Sequence, residues 1–136
     1  MKKVIDFLKE NSITVIATSS DNKPRASILE YAVIDDCIIL GTDNRSIKAH
    51  NLDSNPHISL SVQQLPKFVT IDGAVSTPTD EEIEEYMRRL IENHPEFKER
   101  MAAGMIQFTY YKVNIETAYL CDMSKGPGVE IIKAYV

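Results

Sequence analysis

Within the eight residues Gly41-Thr42-Asp43-Asn44-Arg45-Ser46-Ile47-Lys48 the chain gathers hydroxyls, free backbone amides and two cations. That mixture suits an anion, and phosphate above all. At a helix start the first N–H groups have no intrahelical acceptor and the positive end of the dipole points outward, while a lysine adds a full charge. The same residues also describe an ordinary helix start, with Asn44 or Ser46 as N-cap and Lys48 as a solvated surface cation. Local chemistry alone favours that plainer reading.

Other chemistry-bearing residues are less well placed. His50, His57 and His94 lack the close spacing of a metal pair, so no metal site is expected. Asp80-Glu81-Glu82 and Glu84-Glu85 read as the first turn and the solvated face of a helix rather than as an acid/base pair. Ser124-Lys125-Gly126-Pro127-Gly128 has two glycines without the pattern of a phosphate-binding P-loop and reads as a plain loop. Tyr110 and Tyr111 read as core or interface aromatics. Cys37 and Cys121 lie far apart, each inside an apolar run, and read as buried reduced thiols. No nucleophile triad and no catalytic residue can be assigned.

The 136 residues are enough for one core and too few for two, so one domain over 1–136 is expected. With 43% hydrophobic and 26% charged residues the chain has a globular composition, and a net charge of −5 argues against a nucleic-acid partner. Met1-Lys2-Lys3 is followed by Asp6, Lys9 and Glu10, so no signal peptide is expected. No apolar run approaches the roughly 18 residues of a membrane span, and a cytoplasmic protein without a membrane partner is the expectation.

The positioning elements follow from spacing. Val4, Ile5, Phe7 and Leu8 predict a short first helix, broken at Asn11-Ser12. Strands are predicted over Ile13–Ser19, Arg25–Ile34 and Cys37–Thr42, separated by turns at Ser20–Pro24 and Asp35-Asp36. A short helix beginning near Ser46 ends at Asn55-Pro56. His57–Val62 alternates polar with apolar, and Phe68–Val75 is the next strand, with Gly73 at a bulge or bend. Thr79 and Glu82 predict a capping box for a helix whose apolar stripe is Ile83, Met87, Leu90 and Ile91. A second helical segment over Pro95–Met101 ends at Gly104. Three strands close the chain, at Met105–Asn114, Ile115–Asp122 and Val129–Tyr135. The whole reads as an α+β chain, mainly β, whose strands form one curved sheet.

In order and spacing these pieces resemble the pyridoxamine 5′-phosphate oxidase-like FMN-binding split-barrel family, particularly its short members related to general stress proteins and flavin reductases. The resemblance is carried by Ile16-Ala17-Thr18 followed by Asp21-Asn22-Lys23-Pro24-Arg25. It continues through Leu40-Gly41-Thr42, Ser46-Ile47-Lys48, Asn51-Leu52 and Asn55–Leu60, and ends with Val69–Val75. It implies a split antiparallel β-barrel with a few short peripheral helices, working as a homodimer with an FMN in each of two clefts between the subunits. By motif position it makes Lys48 a phosphate-binding lysine, Ser46 the polar residue just before the phosphate pair, and Thr42 the end of the strand entering the loop. Ser27, Ile28 and Leu29 then run beside the isoalloxazine ring through their backbone groups, with Arg25 also in reach of phosphate.

The chain departs from the oxidases themselves at several points. Ile47 stands where they carry a second phosphate cation, Glu30 where they tend to carry Lys, and Phe68 where they have Gln. The tail lacks the Trp and Arg features that grip pyridoxal phosphate. The resemblance therefore implies a flavin-dependent oxidoreductase that passes electrons from NAD(P)H to a small acceptor, rather than a vitamin B6 oxidase. The other readings it leaves open are a non-catalytic flavin-binding or sensory module, and a haem- or deazaflavin-binding relative.

Overall fold

The first hairpins are set by acidic and amide dipeptides. Asp21 and Asn22 have φ of 52° and 61°, and Asp35 and Asp36 have 49° and 61°. Left-handed backbone at both central residues is what a two-residue turn needs to match the twist of its strands, and Asn and Asp tolerate it best among residues with side chains. A computed structural model of the chain describes residues 1–133. Helix α1 (Lys2–Lys9) precedes strands β1 (Ile13–Ser20), β2 (Lys23–Ile34) and β3 (Cys37–Asp43), which are followed by α2 (Ile47–Ser54), β4 (His57–Gln64) and β5 (Lys67–Ser76). Helices α3 (Asp80–Asn93) and α4 (Glu96–Ala102) lead to β6 (Phe108–Asp122) and, after a 3-10 turn at Met123–Lys125, to β7 (Glu130–Lys133).

The strands run in the order β3-β2-β1-β4-β5-β6-β7, and β3 also pairs with β6. Every pairing is antiparallel, so the first six strands close a barrel and β7 extends β6 at its far end. This is the mainly β, α+β split barrel expected from the sequence, with its helices outside the strands. Alternate residues of the strands fill the core, among them Ile16, Tyr31, Val33, Ile38, Leu60, Val69 and Ile71. All four apolar residues of α1 join that core, and the Tyr31 hydroxyl donates to Leu8 O at 2.7 Å.

The split is visible in the register. Tyr31–Ile34 of β2 pair with Cys37–Leu40 of β3, whereas residues 23–30 of β2 pair, among the described residues, with β1 alone. Residues 41–43 of β3 pair with β6 alone. From the Tyr31/Leu40 pair onward the two strands therefore diverge.

Three sequence expectations are corrected. The segments predicted as separate strands over Met105–Asn114 and Ile115–Asp122 are one strand, β6. It pairs with β3 through residues 108–113 and with β5 through 112–122, because a closed barrel needs one strand long enough to serve both neighbours. Its register slips at Asp72/Gly73, and an added Cβ on Gly73 would run into the carbonyl oxygen of Asn114, so the expected bulge is there and only glycine fits it. Helix α3 has the expected capping box between Thr79 and Glu82, and of the expected stripe it buries Leu90 and packs Met87 against the same cluster, but Glu82 and Tyr86 are buried in place of Ile83 and Ile91, which are half-buried. Its inner face is chosen by a groove against Ala32, Ile34 and Ile39 that takes an aromatic ring. Finally, Cys121 is buried but Cys37 is only half-buried, because it opens β3 directly after the Asp35-Asp36 turn.

The other boundaries differ by a residue or two. Gly104, at φ 71°, ends α4 as expected, with Met105 N–H donating to Arg100 O and Gly104 N–H to Met101 O. The last predicted strand is present as β7 over its described part, and its end at residues 134–135 lies outside the described residues.

Candidate functional site at the split

The loop from β3 into α2 is shaped by Asp43. Its carboxylate accepts from Arg45 N–H at 2.8 Å, from Arg45 Nε at 2.9 Å and from Arg45 Nη2 at 2.7 Å, and Nη2 also donates to Met105 O at 2.9 Å. The Arg45 guanidinium holds the Asp43 carboxyl well below the usual carboxylate range. One of the two cations of the loop is thus tied to its own acid.

Ser46 is the N-cap of α2. Its Oγ accepts from Ala49 N–H at 3.2 Å, donates to Asp43 O at 2.7 Å, and lies 3.5 Å from Thr42 Oγ1. With Ala49 N–H satisfied by the cap, the N–H groups of Ile47 and Lys48 are the first-turn donors that no acceptor takes among the described residues. Lys48 is half-buried and takes part in no ion pair among the described residues, while Ile47 beside it is 56% exposed.

Polar groups, buried at Thr18, Asn51 and Tyr111, hold α2 against the barrel. Asn51 Nδ2 donates to Thr18 Oγ1 at 3.2 Å, Asn55 Nδ2 donates to Ser19 O and Oγ at 3.2 and 3.1 Å, and the Tyr111 hydroxyl donates to Asp53 Oδ1 at 3.2 Å. Sequence reasoning used Asn51 and Asn55 as motif residues but missed their role. The available signal was an amide at positions of a short helix that the apolar pattern turns inward.

Across the split lies the outer edge of β2. In an antiparallel ladder the backbone groups of successive residues point to opposite neighbours, and a two-residue turn makes Ser20 and Lys23 a hydrogen-bonded pair. Arg25, Ser27 and Leu29 therefore direct their backbone groups to β1, and Ala26 and Ile28 direct theirs to the open edge. The 2.9 Å bond from Tyr31 N–H to Ser12 O continues the same alternation. Of the three residues expected beside a ring, Ile28 turns its N–H and C=O into the split, while Ser27 and Leu29 do not. Ser27 and Leu29 are half-buried, and Ile28 is 69% exposed. Arg25 is exposed and opposite Thr18; since facing residues share a side of the sheet, it lies on the side that carries α2. Glu30 accepts from Asn93 Nδ2 at 3.4 Å and lies 2.9 Å from His94 Nε2, which places its carboxylate at the C-terminal end of α3.

The structure thus brings Thr42 and Ser46 together, sets Lys48 and two free amides beside them, and places an open strand edge across the gap. A closed barrel split in this way, with a lysine and two free helix amides at its lip, defines the split-barrel class of folds. The family model described as pyridoxamine 5′-phosphate oxidase matches residues 1–122, and the chain belongs to that family. No curated protein matches it by sequence.

Solved structures share the fold. General Stress Protein 26 from Bacillus anthracis has a TM-score of 0.71 at 17% identity over 98% of each chain. A FAD-binding protein from Mesorhizobium loti has 0.68 at 19% identity over 86% of this chain and 88% of that one. A heme binding protein from Mycobacterium smegmatis has 0.75 at 14% identity over 96% of this chain and 56% of that one.

Proposed function

We propose that this chain binds FMN in the split and works as a homodimeric flavin-dependent oxidoreductase, taking electrons from NAD(P)H and passing them to a small acceptor. The observation that carries the reading is the donor set at the α2 start. Lys48, the Ile47 and Lys48 amides and the Thr42 and Ser46 hydroxyls offer donors to a phosphate, while the loop's own carboxylate, Asp43, is tied to Arg45, and that of Asp53 further along α2 accepts from the Tyr111 hydroxyl. Those residues fit a phosphate monoester held by one lysine and helix amides.

In this reading Lys48 neutralises phosphate charge, Arg25 adds a second cation from the β2 side, and Thr42 and Ser46 orient the ester. Ile28 and Ala26 offer N–H and C=O groups to the polar edge of the ring, with Ser27 and Leu29 supporting the strand behind them. Bound FMN supplies the hydride and electron chemistry. The family membership and the FAD-binding neighbour support a flavin.

A second copy of the chain is the partner proposed. Ile13, Val15 and Ile28 are 55%, 38% and 69% exposed on the outer face of β1 and β2, with Val15 directly opposite Ile28. Apolar side chains in adjacent positions on a sheet face are a surface that association would cover.

An absorbance spectrum of the purified chain, before and after adding FMN, tests the reading. Yellow protein whose flavin bands bleach with NAD(P)H and recover with a quinone or nitro acceptor is the expected result. Colourless protein that takes up no FMN refutes it. Flavin uptake without turnover identifies a non-catalytic flavin module, and a haem spectrum points to the chemistry named for the Mycobacterium smegmatis neighbour.

A further inference from the structure

The β2–β3 ladder ends at Tyr31/Leu40, and Glu30 and Gly41 would be the next pair in register. Both present their backbone groups to each other's side. Asn44 N–H donates to Gln107 O at 2.8 Å, so the alternation along β3 sends Thr42 toward β6 and Gly41 toward β2. The alternation along β2 sends Glu30 toward β3. Yet that pair does not form. Instead the hydroxyl of Tyr86, on α3, shares its one proton between Glu30 O at 3.3 Å and Gly41 O at 3.4 Å. Its ring lies over the Gly41 α-carbon, where an added Cβ would come within 2.7 Å of Tyr86 Cε1 and 3.1 Å of Cζ. The ring is 3% exposed and is braced edge-on by Tyr110, with centroids 6.1 Å apart.

We propose that Tyr86 is a positioning residue that ends the β2–β3 ladder and sets the width of the split, and so the distance between the ring strand 23–30 and the phosphate loop 42–48. The part concerning flavin rests on the function proposed above. The physical reason is the need of a buried carbonyl for a donor. While the Tyr86 hydroxyl serves Gly41 O, that oxygen does not draw in the Glu30 N–H across the seam. Without the hydroxyl, Glu30 N–H is the donor in register. Taking it would advance the ladder by one pair and narrow the split at its root. Gly41 has no side chain because the ring that holds the seam open occupies that space.

The test is Tyr86→Phe in the full chain, which keeps the ring and removes the donor. Backbone amide hydrogen exchange is followed by NMR, and FMN and lumiflavin, the ring without its phosphate arm, are titrated into both proteins. Exchange at Glu30 N–H is expected to slow about tenfold in the variant, since an open-edge amide becomes a ladder amide. A merely destabilised variant moves the other way, with faster exchange throughout. FMN, which must span both sides, is expected to lose about tenfold in affinity, while lumiflavin, which needs one side, is unchanged.

Unchanged or faster exchange at Glu30 overturns the proposal whatever the flavins do. Equal loss of FMN and lumiflavin also overturns it, because that is the signature of a ring contact. If the wild-type chain binds no FMN, the flavin function fails by itself and the Glu30 amide alone decides the role of Tyr86. Gly41→Ala, which pushes on the same ring from the strand side, is expected to alter Glu30 exchange as well, and no change there counts against the wedge.

Discussion

Asn51 of α2 and Thr18 of β1 share a hydrogen bond of 3.2 Å, from Nδ2 to Oγ1, with both residues buried at 6% and 3% exposure. This bond joins the helix whose first turn offers the free amides to the strand paired with Arg25. Asn51→Ala leaves the Thr18 hydroxyl buried without its donor, which costs about 1–3 kcal/mol. In urea unfolding Asn51→Leu combined with Thr18→Val should cost less than the sum of the single changes, because removing both partners removes the unmet group. Strict additivity would show that the bond does not couple the two elements.

Lys48 should matter to ligand and not to folding. It is half-buried and makes no ion pair among the described residues, so Lys48→Ala should leave the thermal midpoint nearly unchanged. FMN affinity should fall by about 1.5–3 kcal/mol, the range for a lost charge-assisted hydrogen bond. Titration calorimetry at two salt concentrations checks this, since the wild-type affinity should weaken with salt more than that of the variant. Equal affinities would move the phosphate elsewhere.

The apolar pair on the outer sheet face predicts the assembly state. Ile28→Asp places a charge opposite Val15 on that face. Light scattering at micromolar concentration should show a dimer for the wild type and a monomer for the variant, with flavin uptake lost alongside. A monomeric wild type argues against a cleft shared between two copies.

Gly73 and Gly104 should respond differently to alanine. At Gly73 the new Cβ meets the backbone carbonyl of Asn114, which cannot swing aside, so the cost should be at the upper end of the roughly 1–3 kcal/mol of overpacking. At Gly104 an added Cβ would meet none of the described residues beyond its chain neighbours within 4 Å, and the cost should be only the roughly 1–2 kcal/mol of a left-handed backbone. Chemical denaturation of the two variants compares them directly.

Acid should loosen α3. Hydrogen bonds from Arg88, and then from Arg89, lower the Glu85 carboxyl from 4.5 to about 2. A folded pKa below the unfolded one means that the native state binds fewer protons. The contribution is therefore complete above about pH 4.5 and disappears as the pH falls through about 2. Thermal midpoints measured over that range should fall less steeply for Glu85→Gln than for the wild type. Parallel curves would mean that the ion pairs contribute nothing to stability.

Much of the fold was legible from local chemistry. Asp21-Asn22 and Asp35-Asp36 announced their turns because few other residues accept a left-handed backbone, and Thr79 with Glu82 announced a helix start because the two side chains satisfy orphan amides on the spot. Ser46 was readable as a cap for the same reason. Those signals are carried within four residues of chain, so the sequence by itself determined them, along with the order of strands and helices.

Only the tertiary structure decided what depends on distant partners. The continuity of β6 depends on two neighbours that share it, and alternating apolarity cannot reveal a strand that changes partner. The face of α3 depends on the groove it meets, so Tyr86 was buried in preference to Ile83 and Ile91. Arg45 looked like a second phosphate cation until folding set its guanidinium on the distant Met105 O as well as on the neighbouring Asp43. The open edge at Ile28, rather than at Ser27 or Leu29, follows from strand alternation counted from one turn, and the seam held open by Tyr86 joins residues 45 and 56 positions apart. Contacts across such separations carry no local periodicity, so the site became a shape only when the barrel closed.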